Sequence, residues 1–484
     1  MMEKNNTLLQ GFEWYLPADG TFWNKVKALA PSFYALGIDV IWLPPAYKCH
    51  TGGLDAGYGV YDLYDLGEFD QKGSVRTKYG TRDEYLACID ALHQAHISVL
   101  PDIVMNHRMG ADVMEYLRGR KKKSWDRRKK AAPEREIGVW TKFTFPNRNG
   151  KYSDFVFDHT CFNGIDRDEI RRKHAIFLFQ GSSWSDKVDR EYGNYDYLMG
   201  CNVDTRVPKV RQELIRWGKW YLDTTHADGF RLDAVKHIDY DFLRDWLHEM
   251  RSHAGRNLFA VGEYWHGNTD LLVDYLNHTG HTMSLFDVNL HFRFKDASIG
   301  PCNMARIFDG SLVQREPYYS VTFVDNHDSQ PGQSLESFVE RWFKLHAYAL
   351  ILLRQDGLPC VFYGDLYGIP HDQIPPVEHL DTLIRVRREC AYGITHDYFD
   401  HNDIIGWTRE GAADLPLSGL ACLMSHDHEG RKWMYTGHRN RQMVNLLNPY
   451  QTVWTNNDGY GEFYVEAGRT AVYVLAEAFY ELIR

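Results

Sequence analysis

Eight short apolar runs alternating with segments of helical periodicity are the feature that most limits what this chain can fold into. The runs are LLQGFEW at 8–14, IDVIWLPPAY, ISVLPDIVMNH, ADGFRLDAV, LFAVGEYW, SLFDVNL, SVTFVDNHD and LPCVFYGD. Between the first two, TFWNKVKALAPSFYALG repeats apolar residues at 22, 26, 29, 33 and 36, and Pro31 is expected to interrupt or restart that helix. Thr81 and Glu84 have capping-box spacing ahead of the next helix, and Pro208 opens VPKVRQELIRWGKWYL. Strands that are apolar on both faces need cover on both faces. Eight of them alternating with helices therefore predict an α/β fold, a (β/α)8 TIM barrel with a parallel sheet.

Two regions fall outside that rhythm. Residues 108–206, rich in aromatics, Gly, Asn and Asp, are too long for an ordinary loop and are expected to form a subdomain inserted after strand 3. From 394 to 484 the texture changes to short alternating segments with a turn signal in NNDG at 456–459, which predicts a C-terminal antiparallel β-domain, a β-sandwich. The barrel itself is then assigned to residues 1–107 and 207–393.

A net charge of −10 argues against nucleic acid or an anionic membrane as the main partner. The dense basic stretch GRKKKSWDRRKK is read as a solvated helix or loop. No apolar run is long enough to span a bilayer, and MMEKNNTLLQ carries no h-region. Eight cysteines scattered without CxxC spacing read as free thiols, and the cytoplasm is the expected location. Aromatics at 14% suit flat, partly apolar ligands such as sugars.

In a barrel of this kind, the polar residues ending apolar strands gather at one mouth. PDIVMNH supplies Asp102, Asn106 and His107; FRLDAVKH supplies Arg231, Asp233, Lys236 and His237; VGEYW supplies Glu263; FVDNHD supplies Asn326, His327 and Asp328. Taken singly, each run also reads as structural, with Arg231 and Asp233 a buried ion pair. Taken together, Asp233, Glu263 and Asp328 at the ends of the fourth, fifth and seventh strands converge on one face. Their desolvation and repulsion favour one protonated and one ionised carboxylate, which is what glycoside hydrolysis needs.

These runs, in this order, resemble the four conserved regions of the α-amylase family of glycoside hydrolases. WLPPAYK, GYGVYDLYDLGEFDQKGSVRTKYG, GNYDYLMG and VFYGDLYG extend the likeness over most of the first 370 residues, closest to the bacterial liquefying type and its intracellular members. The resemblance implies Asp233 as nucleophile, Glu263 as acid/base and Asp328 as third carboxylate, with Arg231 keeping Asp233 ionised. It implies sugar contacts from Trp14, Tyr58, His107, Lys236, Trp265 and His327. It also implies a calcium ion between barrel and insertion, held by Asn106, Asp196, Asn202 and the backbone carbonyl of His237. Where the liquefying pattern carries aspartates, this chain has Asn163, Ser185 and Asn202. One weakly bound calcium at most is therefore expected.

The implied activity is endo-hydrolysis of α-1,4-glucosidic bonds in starch, glycogen or maltodextrins, by a monomer. A transglycosidase would use the same site with a sugar acceptor, and a silent sugar-binding relative would lack the carboxylates that are present. A metal-dependent amidohydrolase would show an HxH pair at the end of the first strand, and QGFEW has none.

Overall fold

The computed structural model describes residues 5–482. Its centre is a closed barrel of eight parallel strands: β1 (Leu8–Gln10), β2 (Val40–Leu43), β3 (Ser98–Ile103), β4 (Gly229–Leu232), β5 (Phe259–Gly262), β6 (Ser284–Phe286), β7 (Ser320–Phe323) and β8 (Leu358–Phe362). Each strand pairs with its neighbours in sequence, and β1 closes the ring against β8 through Leu8↔Cys360 and Gln10↔Phe362. The apolar runs are longer than the strands. In the first run only residues 8–10 are strand, and residues 11–14 leave it, with Gly11 still donating to the Trp42 carbonyl of β2.

The main outer helices are α1 (Phe22–Leu36), α2 (Arg82–Gln94), α3 (Pro208–Thr225), α4 (Tyr240–Ala254), α5 (Thr269–His278), α6 (Val288–Ile299), α7 (Arg341–Leu352) and α8 (Leu380–Cys390). Helix α1 buries Phe22, Trp23, Val26, Ala30 and Phe33 and runs unbroken through Pro31, against the expected interruption. Pro31 sits on the exposed face, so the carbonyl that loses its partner there faces water while the buried stripe holds the helix. Thr81 and Glu84 form the reciprocal capping box at the start of α2, and Pro208 occupies the first turn of α3.

Between β3 and α3 lies a six-stranded antiparallel sheet in the order 107–108, 201–203, 162–168, 173–179, 113–121, 135–142. The basic stretch departs from expectation here, because Arg118–Lys121 are strand. Glu134 takes ion pairs from both Arg118 (3.2 Å) and Arg120 (3.0 Å), so the charge that would oppose pairing is partly met across the hairpin.

Beyond α8 a six-stranded antiparallel sheet (395–398, 404–409, 420–425, 470–475, 442–445, 452–454) packs with a two-stranded one (430–435, 460–465). Asn456–Gly459 make the turn before Tyr460, with Gly459 at φ +88. Two buried histidines tie this unit to the barrel helices: His346 Nε2 donates to the Ser425 carbonyl and His426 Nε2 to the Ala297 carbonyl, both at 2.9 Å. Among the described residues, no helix is long and apolar enough to cross a membrane.

Candidate active site

Chain geometry puts Asp233 directly after β4, Glu263 directly after β5 and Asp328 in the loop after β7, all at the carboxyl end of the barrel. A strand alternates its side chains, so Arg231 and Asp233 share the inner face. Arg231 is fully buried, and its guanidinium meets carboxylates on three neighbouring strands' ends. Nη1 donates to Asp102 Oδ1 at 2.9 Å and to Asp233 Oδ1 at 2.7 Å, while Nη2 lies 2.9 Å from Glu263 Oε2. Asp233 and Glu263 thus share one guanidinium, each meeting a different nitrogen of it. Two carboxyls held on one guanidinium lie near each other, as the closely spaced pair of a retaining glycosidase does.

The backbone sets this geometry. Asp233 N donates to the Ile103 carbonyl and Glu263 N to the Leu232 carbonyl, so both carboxylate-bearing residues are still anchored to the ladder. Ala234 then turns left-handed (φ 49, ψ 40), and its N–H donates to Glu263 Oε2 at 3.1 Å. For a residue with a Cβ, that conformation costs about 1–2 kcal/mol. The turn supplies a hydrogen bond to Glu263 from the residue that follows Asp233.

Burial raises all three carboxyls. It pushes Asp233 up to about 6, with Arg231 opposing it, so Asp233 is ionised at neutral pH. Burial also raises Glu263, again opposed by Arg231, and the neighbouring Asp233 charge raises it further. Asp328 is lifted well above the usual carboxylate range by burial and then by Glu263. All three are thus raised toward the acid form, and the Arg231 charge opposes the shift at each.

Around this cluster the structure gathers most of the residues expected to touch a sugar. The rings of Trp14, Tyr58 and His327 lie nearly parallel: Tyr58 and His327 at 5.1 Å and 8°, Trp14 and His327 at 6.0 Å and 10°. Gln10 Nε2 donates to His327 Nδ1 at 3.0 Å, which fixes the proton on Nε2; burial keeps the ring neutral. That Nε2–H has no hydrogen-bond partner among the described residues and lies 3.3 Å from Asp328 Oδ2. It is a buried donor beside Asp328. His107, also neutral through burial, instead donates from Nε2 to the Tyr58 carbonyl at 2.8 Å and so holds the Tyr58 loop. Lys236 is mostly buried, with Nζ on the Trp265 carbonyl (2.9 Å) and on Glu191 (3.1 Å) of the inserted segment.

Asp102 was visible in PDIVMNH but had no expected role in the site. It is the second anchor of Arg231 and also accepts from Trp42 Nε1 (3.0 Å) and Tyr58 OH (2.8 Å). Its cue in the sequence was a charge one residue before the end of an otherwise apolar strand.

At the junction between barrel and insertion, Asn106 Nδ2 donates to the His237 carbonyl at 3.3 Å, and Asp196 Oδ2 accepts from Asn163 Nδ2 (2.7 Å) and Ser185 N (2.9 Å). Asn202 Nδ2 donates to Asn163 Oδ1 at 2.9 Å, while Asn202 Oδ1 is buried without a partner. Burial pushes Asp196 up to about 6. Among the described residues, no group of three or more His, Cys, Asp or Glu is placed to hold a metal. An orphaned amide oxygen beside one buried carboxylate fits a single oxygen-loving cation held by few charges. Asn163 Nδ2 and the Ser185 N–H already occupy Asp196 Oδ2, an oxygen that a second ion would have to take.

A (β/α)8 barrel whose strand ends crowd three carboxylates around one guanidinium has the fold and site of a glycoside hydrolase. The family description "Alpha amylase, catalytic domain" matches residues 33–402. An α-amylase from Geobacillus stearothermophilus is 50% identical over 97% of this chain and 87% of its own length. The "Cytoplasmic alpha-amylase" of Escherichia coli K12 is 42% identical over 98% of this chain and 99% of its own. In fold, the chain is similar to the crystal structure of an α-amylase from Geobacillus thermoleovorans, with TM-score 0.64 at 17% identity over 97% of this chain and 98% of that one. The chain belongs to the α-amylase family of glycoside hydrolases.

Proposed function

We propose that this chain hydrolyses internal α-1,4-glucosidic bonds of starch-like glucans with retention of anomeric configuration. The bridging of Asp233 and Glu263 by one buried guanidinium carries the reading. Glu263 gives its proton to the glycosidic oxygen as the bond to the anomeric carbon breaks, and an Asp233 oxygen bonds to that carbon. Water then attacks the same carbon, passing a proton to the Glu263 carboxylate, and Asp233 departs as the anion. Asp328 and the His327 Nε2–H meet the sugar hydroxyls, where contacts strengthen as the ring flattens. Tyr58 and Trp14 present ring faces to the sugar, and Lys236 and Trp265 line an adjoining subsite.

The division into a barrel (1–107 and 207–393), an inserted subdomain (108–206) and a C-terminal unit (394–484) belongs to the same reading. So does one calcium ion at Asn106, Asp196, Asn202 and the His237 carbonyl, where, when bound, it would cross-link the insertion to the barrel. Eight free thiols, and the likeness to a relative named as cytoplasmic, favour the cytoplasm.

The test is to digest amylose and an end-blocked maltooligosaccharide and follow the first products by chain length and by anomeric NMR. Mixed lengths from the blocked substrate, released as α-anomers, are expected. Release of maltose only from an open end, or β-anomers as first products, overturns the proposal.

A further inference from the structure

Behind the loop that carries Asp328 lies a buried polar chain that the reaction itself does not use. Asn326 Oδ1 accepts from the backbone N–H of Asp328 (2.9 Å) and of Ser329 (2.8 Å), which fixes the turn from which Asp328 projects. Asn326 is held in turn, because its N–H donates to Ser329 Oγ at 2.9 Å. Ser329 Oγ donates to Asp325 Oδ1 at 2.8 Å, and Asp325 Oδ2 accepts from Lys344 Nζ at 2.8 Å. Lys344 reaches this point from α7 and also bonds Asp365, which lies just after β8. Tyr348 OH donates to the other Asp365 oxygen at 2.7 Å. Ser329, Asp325, Lys344 and Asp365 are each at most 1% exposed.

Two carboxylates and one ammonium in a dry interior are a poor way to stabilise a fold, since desolvation offsets most of the attraction. What such a network supplies is direction, for each side chain in it is hydrogen-bonded to at least one other member. Its free end is the turn beneath Asp328. We propose that Lys344, Asp325 and Ser329 are positioning residues that act through the 326–329 turn to aim Asp328 at the substrate. This rests on the assignment of Asp328 as a reacting carboxylate.

A double-mutant cycle tests it. Ser329→Ala removes the hydroxyl that joins the turn to Asp325, and Asp325→Asn, which keeps the volume, is carried through the same cycle in case the first variant folds poorly. Each is measured alone and combined with Asp328→Asn, by kcat and KM on a blocked maltooligosaccharide, with thermal melting alongside. Ser329→Ala is expected to lower kcat about 10- to 100-fold with KM within about twofold, and to cost nothing further in the Asp328→Asn background. Wild-type kcat in Ser329→Ala, or a loss that multiplies with that of Asp328→Asn, overturns the relay while leaving the active-site assignment standing. Full activity in Asp328→Asn overturns the assignment itself, and the relay with it.

Discussion

Replacing Arg231 with lysine is the sharpest perturbation of this site, because one guanidinium serves Asp102, Asp233 and Glu263 at once. An ammonium cannot reproduce the planar fork, so at least one of these contacts is lost. The shortest, 2.7 Å to Asp233, is charge-assisted. Such a bond is worth ~1.5–3 kcal/mol, and about 1.4 kcal/mol corresponds to one pKa unit. With Asp233 already at about 6 in the intact site, its loss carries the carboxyl about one to two units higher. With Asp233 as the proposed nucleophile it must be anionic, so activity falls as pH drops through that value. The acidic limb of kcat/KM should therefore move from near 6 toward 7–8. At pH 6 the variant should sit on the order of tenfold or more below its own plateau. A pH profile from 4 to 9 on a chromogenic blocked maltooligosaccharide reads this directly. A lowered plateau with an unmoved acidic limb would refute the claim that Arg231 sets the charge on Asp233.

Three further outcomes follow from the geometry. Burial works against the Asp55 charge, but His50 and the N–H groups of Gly57 and Gly59 outweigh it and hold the carboxyl at about 2. Asp55→Ala should cost about 2 kcal/mol at neutral pH and raise KM by loosening Tyr58. Because the folded value lies below the unfolded one, that stability is present above about pH 4 and fades as pH falls toward 2, so melts of the two proteins should converge in acid. If one calcium binds as proposed, chelation should lower the melting temperature only slightly, and Asn202→Asp, by adding one charged ligand, should deepen the drop; an unchanged response would remove Asn202 from the proposed calcium site. Lys236→Met should raise KM about tenfold with little change in kcat, since it removes a binding charge away from the reacting bond; a fall confined to kcat would contradict that role.

Much of this was legible in the sequence for one reason. Strands buried on both faces read as apolar runs, so a charge at the end of a run stands out, as Asp233, Glu263 and Asp328 do. Charges inside an element are harder to interpret. Asp102 within β3 and Lys344 within the apolar helix α7 look like isolated exceptions, and only the packing of neighbouring elements shows that each has partners far away in sequence. The strand through Arg118–Lys121 was hidden because its cross-strand neighbours, and the carboxylate between them, lie in another segment. Pro31 misled for the opposite reason: a local rule was overridden by the five buried residues on the other side of the same helix.

The left-handed turn at Ala234 bears on how such an enzyme could be made hardier. Glycine there would remove a steric burden, and a search for thermal robustness by sequence alone would choose it early. The same exchange would slacken the turn that, directly after Asp233, donates its N–H to Glu263. Endurance and speed should thus pull apart at this residue: a form that survives hotter solutions, yet turns over fewer bonds in each of them.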